Sequence, residues 1–229
     1  MNSQQIKEIL LSEIHEVSIN YEKYCNDPKR DFSRKRKLPF ELMLKNIIGM
    51  GSKSITNELI DIFQASGEMP SASAFVQQRT KIRPEALKAV FDGFMSRILA
   101  SADKMRILAV DGSDIQIETN PKDKTSHIST SIDKKSFNLL HLNALYDLEE
   151  HVYTDAIIQA AKSQNEHGAL NEMVDRSEIP KALVIADRGY ESYNDMAHIQ
   201  EKGWFFLIRI KDGRNGIKMG LELPVSYTH

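Results

Sequence analysis

At 229 residues, with 41% hydrophobic and 27% charged residues, the chain has the composition of a soluble globular protein holding one large domain or two small ones. Its longest apolar runs, such as Trp204 to Ile208, are too short to span a bilayer, and the opening MNSQQIKEIL has no signal-peptide core. A single cysteine, Cys25, excludes an internal disulfide framework and fits a reducing cytoplasm, while a net charge of −2 does not by itself point to nucleic acid.

Residues 1 to 103 read as a helical domain. Ile6, Ile9, Leu10, Ile14 and Val17 recur at helical spacing. Between Lys29 and Lys53 eight Lys or Arg meet two acids, Asp31 and Glu41, a surplus of six positive charges. Within it Arg34, Lys35, Arg36 and Lys37 precede Pro39 in a loop, which suits phosphate contact if the stretch is more than a solvated face. Apolar-periodic runs over Leu42 to Ile48 and Ile55 to Phe63 predict two further helices, separated by Gly49 and Gly51. Ser71 or Ser73 caps a short helix through Arg79, and Pro84 opens another to about Ala100. The short helix carries Gln77, Gln78 and Arg79, with Lys81 just beyond, side chains able to read base edges or hold phosphates. With the helix Ile55 to Phe63 it makes a helix-turn-helix-like pair, or else only a polar face of a packing helix. GMGSKS at Gly49 to Ser54 is not a phosphate loop, because no Gly precedes the Lys and no strand precedes the run.

From 104 to 229 the pattern becomes α/β. Arg106 to Val110 is an apolar run followed by the turn-like Asp111-Gly112-Ser113, then alternating Ile115 and Ile117. A polar loop, roughly Thr119 to Ser136, leads to strand-like Phe137 to Tyr146 and Val152 to Ile158. A helix over about Asn165 to Arg176, the strand Leu183 to Ala186, a helix from Tyr193 to Lys202 and a strand Trp204 to Ile210 follow. His127, His141, His151 and His167 lack metal-ligand spacing with cysteine and read as core or surface residues.

Three strands and then helix, strand, helix, strand is the order of a ribonuclease-H-like mixed sheet with parallel central strands. Functional residues in such sheets gather just beyond the carboxyl ends of the strands. Asp111 follows RILAV and Asp187 follows LVIA, so adjacent parallel strands bring the two carboxylates together. Each alone suits a turn former or helix cap. As a pair they would repel, and a hard divalent cation, Mg²⁺ or Mn²⁺, resolves the repulsion. Arg188 and Tyr190 flank Asp187, the first placed to meet a DNA phosphate, the second for packing or for orienting the site.

AVDGSDI, NLLHLNALYDLEEHVYTDAIIQ and VIADRGYESYN with KGWFFLIRIKD resemble DDE transposases of the insertion-sequence-4 family. FSRKRKLPFELMLKNII and SASAFVQQRTKI resemble the helical leader of the same proteins, so the likeness spans nearly the whole chain. It implies metal-dependent DNA cleavage and strand transfer at the inverted-repeat ends of a transposable element, by a homodimer in a paired-end complex at the bacterial nucleoid. Asp111 matches the family's first catalytic aspartate and Asp187 the second. The third member, a glutamate in a Tyr-Arg-Glu-Lys signature after an inserted region, has no counterpart: only Asp212 and Glu222 follow the last strand, and Glu222 stands two residues before Pro224. The expectation is a core incomplete at its C-terminus and inactive. The alternative is a DNA-binding fragment that inhibits transposition without catalysis.

Overall fold

The computed structural model describes all residues except 1, 35–36, 65, 100–103, 130–134, 212–215 and 218–229. The chain divides into two compact units, Met1–Ser101 and Ala102–His229.

The first unit is helical: α1 (Ser3–Ile19), α2 (Phe40–Gly49), α3 (Ile55–Phe63), α4 (Ala72–Arg79) and α5 (Glu85–Leu99). Local chemistry starts the helices. Asn2 and Gln5 make a reciprocal capping box on α1, and Ser54 and Ser71 accept from backbone amides of α3 and α4. Ile14, Val17, Cys25, Phe40, Leu44, Ala86 and Val90 form one core cluster; Leu38, Met43, Leu59 and Phe75 form another, so α2 serves both. Burial above all, helped by the charges of Asp31 and Glu22, pushes the Cys25 thiol up to about 11, which leaves it a protonated core residue. The α3–α4 connection, residues 64 to 71, is longer than the three- to four-residue turn of a helix-turn-helix, and the pair packs through Leu59 and Phe75.

Gly93 on α5 allows α1 to approach closely. A Cβ there would overlap the carboxylate of the buried Glu13, which pairs with Arg97 Nε at 2.5 Å. Alanine gains about 1 kcal/mol of helix propensity over glycine, whereas overpacking costs about 1–3 kcal/mol. Gly93→Ala is therefore expected to destabilise the helical unit by about 1 kcal/mol, measured by urea unfolding; a stabilised variant would show that Glu13 swings aside freely.

The second unit is a mixed sheet with two crossover helices. Its elements are β1 (Arg106–Ile117), β2 (His127–Ile128), β3 (Phe137–Asp147), β4 (Val152–Ala160), α6 (Glu166–Arg176), β5 (Ala182–Ala186), α7 (Tyr193–Glu201) and β6 (Phe205–Ile208). Among the described residues six strands form one sheet. β4 pairs with β3 and β3 with β1, both antiparallel; β1 pairs with β5 and β5 with β6, both parallel. The spatial order β4-β3-β1-β5-β6 is thus a meander joined to a parallel half, the order expected of a ribonuclease-H-like core. Short β2 pairs with the start of β3 inside the stretch expected to be loop.

Alternation sets the two faces apart. Leu108, Val110, Leu145, Val184 and Ala186 are buried on the side carrying α6 and α7. The residues between them, including Ile107, Ala109 and Ile185, are only partly buried, and Phe205 and Leu207 of β6 are exposed. Trp204 is buried just before β6, its Nε1 donating to the Ile179 carbonyl at 3.0 Å.

The expected turn at Asp111-Gly112-Ser113 is corrected. β1 runs unbroken to Ile117, and all three residues are paired with β3. The parallel partner β5 ends early, and β3 carries β1 on beyond it.

Candidate active site

Asp111 lies inside β1 opposite Ala144 of β3, with its Oδ1 accepting from the Gly112 amide at 2.9 Å. It is exposed on the more open face of the sheet, in a cavity of about 460 Å³ that Ser113, Leu142, Tyr146 and Tyr153 also line. The two tyrosine rings meet edge to face at 5.0 Å.

Asp187 follows β5 and caps the 3₁₀ turn Arg188–Tyr190, its Oδ1 accepting from the Gly189 amide at 2.6 Å. The Asp-Arg-Gly-Tyr run has a physical reason at each end. A Cβ on Gly189 would lie 2.8 Å from Asp187 Oδ1, so glycine keeps the cap close, and Tyr190 is 2% exposed and anchors the turn. The parallel register ends with Ala109 paired to Ile185, two residues before Asp111 and Asp187, so neighbouring strands lead to the two aspartates.

Tyr190 is the unusual neighbour. Its hydroxyl is buried without a hydrogen-bond partner among the described residues, and burial above all, then the charges of Glu166, Asp111, Asp187 and Asp195, pushes its ionisation well above the ordinary tyrosine range. Its ring meets that of His167 edge to face, with centroids 6.1 Å apart. The His167 Nδ1 lies 2.5 Å from the fully buried Asp195, which also accepts from Asn171 at 3.2 Å.

Sequence reasoning missed the group on the helix-covered side. His141, 4% exposed, holds Asp114 Oδ1 at 2.8 Å through Nδ1. Its Nε2 stands 3.1 Å from Glu166 Oε1, close enough for an ion pair but not aligned as a hydrogen bond. Both groups crowd Gly112: a Cβ there would be 2.6 Å from Glu166 Oε1 and 2.6 Å from His141 Nε2. The one available signal was that Gly112 interrupts a strand between two acids, which marks close approach of another chain segment.

Asp111 and Asp187, just beyond the parallel-paired stretch of β1 and β5, fit a hard cation by the chemistry of their oxygens. Among the described residues no three His, Cys, Asp or Glu side chains form a metal cage. Two carboxylates suffice for Mg²⁺, which keeps several waters and takes further oxygens from phosphate. Asp212 and Glu222 lie outside the described residues.

The other expected nucleic-acid contacts are scattered. Arg188 is exposed beside Asp187. Lys37, Gln77, Gln78 and Lys81 line one cavity of about 510 Å³ in the helical unit. Gln78, however, is 7% exposed and its Oε1 accepts from Lys81 Nζ at 2.6 Å, so it faces the protein rather than a base edge. Lys37 donates to the Gly67 carbonyl at 2.8 Å. Arg34, Gln77 and Arg79 are exposed, and Lys35 and Arg36 lie outside the described residues. No helix among the described residues is long and apolar enough to cross a membrane.

Solved structures similar to this chain include a piggyBac transposase synaptic complex with hairpin DNA, at 10% identity and a TM-score of 0.46, covering 93% of this chain and 50% of that one. A Drosophila P element transposase strand transfer complex matches at 10% identity and a TM-score of 0.35, covering 90% and 48%. The chain spans about half the length of these structures. No curated protein matches it in sequence. The family model described as "Transposase DDE domain" matches residues 102–219, more than half of the chain and the whole sheet that carries Asp111 and Asp187, and the protein therefore belongs to the transposase DDE domain family.

Proposed function

We propose that this protein is a transposase of the insertion-sequence-4 type, cutting and joining DNA at the inverted-repeat ends of its own element. What supports the reading is the parallel pairing of β1 with β5, two neighbouring strands that lead to Asp111 and Asp187. A divalent cation held by these carboxylates, Mg²⁺ or Mn²⁺, supplies charge stabilisation at the phosphodiester and a nucleophile at neutral pH. In the first reaction a water oxygen bonds to phosphorus and the P–O3′ bond breaks, freeing a 3′-hydroxyl. In the second that hydroxyl attacks a target phosphodiester and displaces another 3′-oxygen. The Gly189 amide orients Asp187, and Arg188 beside it meets a phosphate oxygen. Exposed Arg34, Gln77 and Arg79, with Lys35, Arg36, Lys37 and Lys81, give the helical unit its grip on the ends, two copies pairing two ends.

The test uses DNA flanking the coding sequence on both sides. Asp111→Asn and Asp187→Asn are expected to abolish Mn²⁺-dependent nicking and strand transfer and to leave gel-shift binding intact; cleavage by either variant sinks the assignment. A second reading, end binding without catalysis that inhibits active copies, draws on the finding that among the described residues no three His, Cys, Asp or Glu side chains form a metal cage. Binding by the wild-type chain with no cleavage selects it.

A further inference from the structure

The helix-covered face of the sheet carries its own group of polar side chains, opposite the face on which Asp111 stands. His141 on β3, Asp114 across from it on β1 and Glu166 on the first turn of α6 meet there. His141 is 4% exposed, and its Nε2 has no hydrogen-bond partner among the described residues. Asp114 holds Nδ1 at 2.8 Å, and a carboxylate only accepts, so in the neutral ring Nδ1 carries the proton and Nε2 bears a lone pair. That lone pair stands 3.1 Å from Glu166 Oε1, itself an acceptor. Two acceptors brought so close in a buried setting repel unless a cation joins them. A second proton on His141 serves poorly, because Nε2 and Oε1 are not aligned as a hydrogen bond. Gly112 permits the approach, since a Cβ there would stand 2.6 Å from both atoms. Asn143, opposite Gly112 and two residues along β3 on the same face, is fully buried with an Oδ1 that also has no partner among the described residues.

We infer that His141 Nε2 and Glu166 bind one divalent transition-metal ion, Zn²⁺ by ligand preference, at a site separate from Asp111 and Asp187. The imidazole decides the class of ion: Mg²⁺ takes oxygens, whereas Zn²⁺ takes imidazole and carboxylate together. Bonds of about 2.0–2.2 Å from one ion to a nitrogen and an oxygen set those two atoms roughly 3–3.5 Å apart. The 3.1 Å between Nε2 and Oε1 falls in that range. Asp114 is the carboxylate behind the ligating histidine, fixing its tautomer and raising its basicity. Among the described residues no three His, Cys, Asp or Glu side chains form a cage, so water completes the coordination, with Asn143 Oδ1 as an acceptor for it. Bound there, the ion pins the first turn of α6 to β3. It needs neither Asp111 nor Asp187, so it stands whether or not those two hold Mg²⁺. The competing account is a metal-free ion pair of protonated His141 with Glu166.

Zn²⁺ alone is the probe, added to the full 229-residue chain. Proton–nitrogen correlation spectra of the imidazole rings, with His141 assigned by its loss in H141Q, are expected to show the Nε2 resonance moving on Zn²⁺ while Nδ1 keeps its proton. Partners behind a ligand change metal affinity by roughly 10–100-fold, so D114N is expected to weaken Zn²⁺ at least tenfold in a calorimetric titration, and E166Q by no less. E172Q removes the same charge from the same helix, at a residue paired with Arg176, and is expected to leave the affinity unchanged. D111N/D187N is expected to leave the His141 shift in place. Zn²⁺ is also expected to raise the melting temperature of the wild type but not of E166Q. Should E166Q fail to fold, D114N carries the test, since Asp114 is exposed. An unmoved His141 Nε2, or equal Zn²⁺ affinities for the wild type, E166Q and D114N, overturns the inference in favour of the metal-free pair. A His141 shift that vanishes in D111N/D187N overturns it as well.

Discussion

Replacing Arg106 by methionine is expected to cost about 3–5 kcal/mol, the penalty for removing one partner of a buried ion pair. Arg106 and Asp147 are 2% and 0% exposed, with NH1 donating to Oδ2 at 2.7 Å. Methionine fills much of the space but leaves a carboxylate under the sheet without its cation. The remaining support for Asp147 is two backbone amides, Glu149 at 2.9 Å and Glu150 at 3.0 Å on Oδ1. The pair also ties the start of β1 to the end of β3, so the loss spreads to the strand that carries Asp111. Urea unfolding measures it. The double replacement R106M/D147L is expected to be milder than either single change, because no charge is then left buried; additive losses would refute the account. The pH dependence follows. Burial pushes the Asp147 carboxyl up, but the Glu150 amide, Arg106 and the Glu149 amide together outweigh it and leave it below the ordinary aspartate value. A lowered carboxyl contributes stability above its unfolded value, about 3.9, and the contribution is lost as pH falls through the folded value. Acid unfolding of the wild type below about pH 4 should therefore flatten in R106M.

Gly112→Val is expected to cost about 1–3 kcal/mol by overpacking. The first added carbon would stand 2.6 Å from both Glu166 Oε1 and His141 Nε2. The glutamate end can swing away at little cost. The imidazole cannot, because it is 4% exposed and held by Asp114 at 2.8 Å. The structure therefore yields by displacing Glu166 from its place beside His141. Thermal melting measures the loss. A variant that melts normally would show that the contact at Gly112 is not confining.

Much of the fold was legible because its signals are local. Ser71 caps α4 as expected, and apolar runs located the strands on either side of α6 and α7. Asp111 and Asp187 stood out because each ends an apolar run. What was not legible depends on pairing across distance. The extension of β1 to Ile117 is imposed by β3, and no property of Asp-Gly-Ser alone reveals it. Glu166 looks like any acid at a helix start, and its approach to Gly112 exists only once α6 lies on the sheet. His141 reads in the sequence as a core or surface histidine like three others, and its burial and two carboxylate neighbours set it apart. Gln78 shows the converse: its polar helix position suits either a contact surface or a packing face, and packing turns it inward toward Lys81.

The two aspartates are mounted differently, and this has a kinetic consequence. Asp111 sits within a run of β1 whose residues 108 to 117 are all registered against β3. Asp187 rides on a single turn, closed by its own carboxylate to Gly189 and by the Tyr190 amide to its carbonyl at 3.2 Å. The site is thus a calliper with one fixed jaw and one sliding jaw. Amide exchange around Asp111 should require opening of the sheet itself, while Gly189 and Tyr190 exchange through a local event. Any change in the spacing of the two carboxylates is then expected to come from the Asp187 side, with Asp111 as the reference point.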